Sequence, residues 1–90
     1  MLDTAFPGAD LVEVGLADLR RGAESVPALL VSIGAPRLRR LGFAIARPAD
    51  RPEHRLYEFL SRADPETAHS RFNALIRRLV SFERALECAS

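Results

Sequence analysis

Glu83 sits where a charge does not belong. Counting 100° per residue, it falls inside the apolar sector made by Ile76, Leu79, Val80 and Leu86. A carboxylate in that position must be paired, neutralised or held at the rim of an interface, because burial strips its hydration. Two kinds of chemistry are open to it. It can serve a ligand or metal site as a buried acid, or it can form an ion pair with an arginine, for which Arg39 and Arg40 are the candidates.

Glu66-Thr67-Ala68-His69 spaces an acid and an imidazole three residues apart, which is half of the motif used by di-iron carboxylate bundles. A complete site needs two such motifs and two further glutamates, and the chain has one motif. Glu83 lies more than about 20 Å further along the same helix. Only an antiparallel pairing of two copies would join them. No metal or cofactor is expected, and His69 reads as a half-buried surface residue near Phe72 and Ile76. His54 and Glu58 form an i, i+4 pair opposite Leu56, Phe59 and Leu60, on a solvated face. Ser and Cys residues lack a nucleophile context, and no glycine-rich phosphate loop follows a strand. Cys88 reads as an exposed thiol. Catalysis is not expected.

The basic residues carry the one nucleic-acid argument. All thirteen are arginine, balanced by twelve acids to a net charge of +1. That balance speaks against binding nucleic acid by bulk electrostatics, although a local patch of Arg37, Arg39, Arg40, Arg77 and Arg78 remains open. The alternative is that these arginines are solvated or paired with acids. Pro36-Arg37-Leu38-Arg39-Arg40-Leu41-Gly42, then Arg47-Pro48 and His54-Arg55-Leu56-Tyr57, resembles the N-terminal winged helix of MerR-type regulators. That family carries a helix with a Leu-Arg pair, a Gly-Leu-Pro-Arg turn, a later Arg-x-Tyr and a long dimerisation helix. This chain lacks the aromatic-acid step after the Leu-Arg pair. Gly42 comes early, and the opening half of the helix-turn-helix is missing. What the resemblance implies is a DNA-binding transcriptional regulator with an Arg-rich helix around residues 36–42.

The elements that must position these residues read as helices. Ninety residues suit one domain, and 48% apolar composition supplies a core dominated by aliphatics, with five Phe and no Trp. That profile favours helix on helix over sheet. Residues 1–9 read as a flexible N-terminal segment ahead of a single helical domain over 10–90. A first helix is expected from Asp10 as N-cap to Arg21, with Val12, Leu16, Leu19 and Ala23 inward and Gly22 as its stop. Ser25 offers a second N-cap, with Pro27 in the following turn. Residues 28–34 are apolar on nearly every side, so periodicity cannot separate a buried helix from a buried strand there. Helix is the choice, because both neighbours look helical.

Pro36 opens a short helix that Gly42 closes, with Leu38 and Leu41 inward. Residues 43–51 form a loop that tucks Phe43 and Ile45 against the core. A fourth helix covers Pro52–Ala63, with Leu56, Phe59, Leu60 and Ala63 on one face. Asp64-Pro65-Glu66 then starts a helix running to about Glu87 with no internal Gly or Pro.

On that last helix Phe72, Leu75, Leu79, Phe82 and Leu86 alternate at three and four residues, and Ile76 and Val80 widen one edge. At 1.5 Å per residue it spans roughly 35 Å, against about 30 Å for a compact domain of this size. Such a rod overhangs and packs on a partner, or else the earlier helices cover it. The interface candidates are Phe72, Leu75, Ile76, Leu79, Phe82, Glu83 and Leu86. The fold expected is all-α, a small bundle of four to five helices with a long C-terminal helix. The role expected is a protein-protein interaction or accessory module, a homodimer or docked on a partner protein. No apolar stretch approaches the roughly 20 residues needed to cross a bilayer, and the first ten residues lack the pattern of a signal peptide, so a cytoplasmic location is expected.

Overall fold

A computed structural model describes residues 6–89. Five helices follow in order: α1 (Ala9–Arg20), α2 (Val26–Ile33), α3 (Ala35–Arg40), α4 (Pro52–Ala63) and α5 (Ala68–Ala89). No strand occurs among the described residues. The fold is all-α with a long C-terminal helix, as its periodicity requires. No helix of it is long and apolar enough to cross a membrane.

The short α2 is the hub, packing on α1, α3, α4 and α5. This explains its uniform apolarity. Ala28, Leu29, Leu30 and Val31 are all buried because neighbours cover the helix on every side. Helix, not strand, is the outcome for residues 28–33, with Gly34 as the turn that ends it, and its start is local. Ser25 in extended conformation accepts a hydrogen bond from the Ala28 N–H at 3.2 Å, with Pro27 in the first turn.

α1 begins at Ala9, and its N-cap is Gly8 in the left-handed region (φ 77°) rather than Asp10, which lies in the first turn. Glycine is required there twice over. A Cβ at Gly8 would also meet the Arg78 carbonyl oxygen of α5 at 2.9 Å. At the other end Gly22 (φ 73°) closes α1 in a Schellman motif: the Ala23 N–H donates to the Asp18 carbonyl and the Gly22 N–H to Leu19. Gly42 (φ 106°) closes α3 in the same way through the Leu38 and Arg39 carbonyls. Of the loose segment expected over 1–9, residues 1–5 lie outside the described residues. Phe6 packs edge-on to Phe82 at 6.4 Å.

A polar clamp joins α1 to α2. The Asp18 carboxylate accepts from the Arg21 guanidinium at 2.8 Å and from the Ser25 hydroxyl at 2.6 Å. The Ser25 hydrogen bond is the main influence holding the Asp18 carboxyl below its ordinary pKa. A depressed acid stabilises the fold above the ordinary value of about 3.9 and loses that contribution as pH falls through the folded one. Ser25→Ala is therefore expected to cost about 1 kcal/mol at neutral pH from the cap alone, with a shallower loss of stability in acid than the parent chain shows. Urea unfolding at neutral and acid pH measures both; an unchanged acid limb would remove Ser25 from the clamp.

The 43–51 loop is held from below. Buried Ser32 donates to the Ala28 carbonyl and accepts from the Ala49 N–H at 2.8 Å, and Arg39 donates to the Ile45 carbonyl at 2.8 Å. Ile45 is buried and Phe43 half-buried, as the apolar pattern indicates.

α4 has the bounds the sequence predicts. Leu56 and Leu60 are buried, but Phe59 is 40% exposed and Ala63 is exposed. The difference is geometric. α4 rests on α2 and α5, and this contact is too narrow to cover both flanks. α5 starts at Ala68, not Pro65. The Asp64 carboxylate accepts from the Glu66 N–H at 3.1 Å, an Asx turn that spends the cap on a reverse turn before the helix begins. Its 22 residues span about 33 Å, so only the longest dimension of the 38 × 25 × 19 Å molecule accommodates them.

Candidate functional site

The seam of α5 divides into a covered and a less covered part. Ala68, Leu79 and Phe82 are buried, and Phe72, Leu75, Ile76 and Leu86 are half-buried against the core. The earlier helices thus wrap most of the seam within one chain, and Leu79, Phe82 and Glu83 face the molecule's own interior. What stays within reach of solvent is the edge toward α4. There Tyr57, 40% exposed, sets its ring 5.8 Å from Phe72 and 6.4 Å from the imidazole of His69. Ile76 and Val80 continue this edge one and two turns along.

Glu83 is buried, with 5% of its side chain exposed, and its Oε1 lies 3.5 Å from Nη1 of Arg37. The expected partners Arg39 and Arg40 do not reach it, since α3 docks with Arg37 turned toward α5. Arg39 instead turns to the loop. Arg37 also binds Glu87, its Nε 2.6 Å from Oε1. The carboxylate fits because the α2–α3 junction is Gly34, where a Cβ would stand 3.0 Å from Oε2. Burial raises the Glu83 pKa. Arg37 pulls it down, Glu87 pushes it up and Arg40 lowers it, but desolvation prevails.

An acid with a raised folded pKa favours folding fully below its ordinary value, about 4.3, and that contribution is lost as pH rises through the folded value. Removing Arg37 should therefore hurt most where Glu83 is charged. Arg37→Ala is expected to cost about 2 kcal/mol at neutral pH, less than the 3–5 kcal/mol typical when a fully buried pair is broken, because Arg37 is a third exposed. In a Glu83→Gln background the same change should cost under about 1 kcal/mol. Equal losses in both backgrounds would show that Glu83 does not depend on Arg37.

The arginine set does not converge. Arg37 is engaged by Glu83 and Glu87, Arg39 by the Ile45 carbonyl, and Arg78 lies 3.4 Å from Asp10. Arg40 and Arg77 are exposed and form no close ion pair with an acid among the described residues, although the charge of Arg40 is felt at Glu83. α3 is a six-residue helix whose side chains tie down a loop and α5. The wing that a MerR-like fold would require has no strand among the described residues to build it.

Glu66 stands in the turn before α5, so Glu66 and His69 do not share a helix face. The His69 ring instead contacts the Asn73 amide at 3.2 Å. No group of three or more His, Cys, Asp or Glu among the described residues could hold a metal ion. His54 and Glu58 meet at 3.6 Å on an exposed face, and Cys88 is an exposed free thiol. The Asp18 clamp was not singled out in the sequence. Its signal was there in Asp18, Arg21 and Ser25, spaced three and seven residues apart across a glycine stop. No protein family, no curated protein and no solved structure matches this chain.

Proposed function

We propose that this chain is a small cytoplasmic interaction module that pairs with a second copy of itself through the edge between α4 and α5. The observation that carries the reading is the aromatic ledge of Tyr57 and Phe72, continued by Ile76 and Val80 along a helix that runs most of the length of the molecule. Exposed Tyr beside partly covered Phe and Ile is the composition of interface anchors, which bury large rigid area for little lost conformational freedom. A two-fold pairing of two such ledges would cover both α5 helices at once. A partner protein presenting an apolar helix face would use the same ledge. Catalysis has no part in this reading.

Sedimentation equilibrium from low to high micromolar concentration tests it. The mass is expected to rise toward twice that of the chain. Tyr57→Ser with Ile76→Ser should weaken the pairing about tenfold or more while leaving the helical far-ultraviolet spectrum unchanged. A constant monomer mass across the range would rule out the self-pairing.

A further inference from the structure

The last turn of α1 and the loop after α3 enclose a cleft of about 430 Å³. Leu16, Leu19 and Ile45 form its apolar wall, Ala46 closes one side, and Arg20 and Arg47 stand at it together. A second hollow of about 280 Å³ shares Leu19, Arg20 and Arg47 and extends the cleft over Ala28 and Leu29. Ligand sites commonly occupy roughly 300–1,000 Å³ and combine apolar walls with a few fixed polar groups. The wall is preformed. The loop is anchored on either side of Arg47, by Arg39 at the Ile45 carbonyl and by Ser32 at the Ala49 N–H.

The charges around the cleft are unbalanced. Arg21, Arg37, Arg55 and Arg78 each reach a carboxylate. Arg20 and Arg47 reach none among the described residues. The larger hollow has no acid in its wall, and the acid beside the smaller one, Glu24, is engaged by Arg55. Two arginine side chains thus border one apolar cleft, and no acid among the described residues engages either of them. An anion with an apolar body satisfies both features, because a planar guanidinium matches a carboxylate with two parallel hydrogen bonds.

We propose that this cleft binds a free organic acid, with its carboxylate held by Arg20 and Arg47 and its hydrocarbon chain laid against Leu16, Leu19 and Ile45. Neither half of the ligand suffices alone. Exposed ion pairs are weak, whereas each buried methylene strengthens binding about fourfold. The site shares no residue with the proposed pairing ledge, so the two readings stand or fall separately.

The experiment is an amide-resolved NMR titration of the full chain with octanoate below its micelle concentration, alongside octanol and acetate. Saturable shifts are expected at Leu16, Leu19 and residues 44–47. Octanol, which has the chain without the charge, should bind about tenfold more weakly or worse, and acetate should produce no saturable shift. Arg20→Gln with Arg47→Gln should weaken octanoate about tenfold and leave octanol unchanged. Both side chains are exposed and reach no acid among the described residues, so the fold should survive the exchange, and the ligand series on the parent chain is decisive without it. Unsaturated shifts spread over the whole chain, octanol binding as well as octanoate, or an unaltered octanoate affinity in the double variant would each overturn the proposal.

Discussion

Gly15→Ala is expected to destabilise the chain by about 3 kcal/mol or more, although alanine is the better helix former by about 1 kcal/mol. Gly15 lies at the point where α1 crosses α2. A methyl group there would stand 2.3 Å from the Pro27 carbonyl oxygen, 2.8 Å from its carbon and 2.5 Å from a Val31 methyl. These distances are well inside van der Waals contact, and the first two are to backbone that cannot rotate away. The helices cannot slide past one another to relieve the clash, because the Asp18–Ser25 hydrogen bond fixes them a few residues further on. They must separate, which opens voids around Val12, Leu16 and Val31. At Gly34 the same change meets only side-chain ends, Glu83 Oε2 and the Leu79 methyls, at 3.0–3.1 Å. These can shift, so Gly34→Ala should be the milder variant. Urea midpoints measure both, and a Gly15→Ala chain within about 1 kcal/mol of the parent would contradict the crossing.

Phe82→Ala should cost about 4 kcal/mol. Phe82 is the largest fully buried side chain and belongs to three connections at once. Its ring meets Phe6 ahead of α1 at 6.4 Å and Phe43 in the loop at 5.9 Å, and its Cβ lies against the Gly8 cap. Truncation therefore leaves a cavity walled by two segments far apart in the sequence, the stretch ahead of α1 and the 43–51 loop, neither of which can collapse into it alone. A domain of this size has a total stability of roughly 5–13 kcal/mol, so the loss is a large share of the whole. Loosening of the contact with Phe43 should also speed proteolysis within residues 43–51. A loss under about 1.5 kcal/mol, with unchanged cleavage of that loop, would show that Phe82 is not the keystone of the packing.

These two expectations come from different levels of organisation. The inward position of Phe82 is visible in a three-and-four spacing on a helix without Gly or Pro. The role of Gly15 is not, because what makes its missing methyl necessary is the Pro27 carbonyl of another helix.

Most local signals agree between sequence and structure, the exceptions being the N-cap of α1, which is Gly8 and not Asp10, and the start of α5. Pro52 and the Asp64-Pro65 stop bound α4, Ser25 caps α2, and Gly22 and Gly42 end their helices, because turn geometry and capping involve only a few neighbouring residues. Even the late start of α5 is a local competition, in which the Asp64 side chain serves a turn instead of a helix. The position of Glu83 within an apolar sector was legible for the same reason, since one helix face is a matter of spacing.

Tertiary structure decided the rest. Residues 28–33 are helical, and 28–32 are buried, because four other helices use them as a hub. Glu83 pairs with Arg37 instead of Arg39 or Arg40 because the docking angle of α3 selects one of three neighbouring arginines. Most of the apolar seam is covered from within the chain, and Tyr57 joins what remains open from a different helix. Arg20 and Arg47 stand at one cleft although 27 positions separate them in the sequence. Spacing along a chain specifies which side of an element is apolar. Which elements meet, and at what angle, depends on how all their surfaces fit together, and so do the partner of each charge and the shape of each cavity.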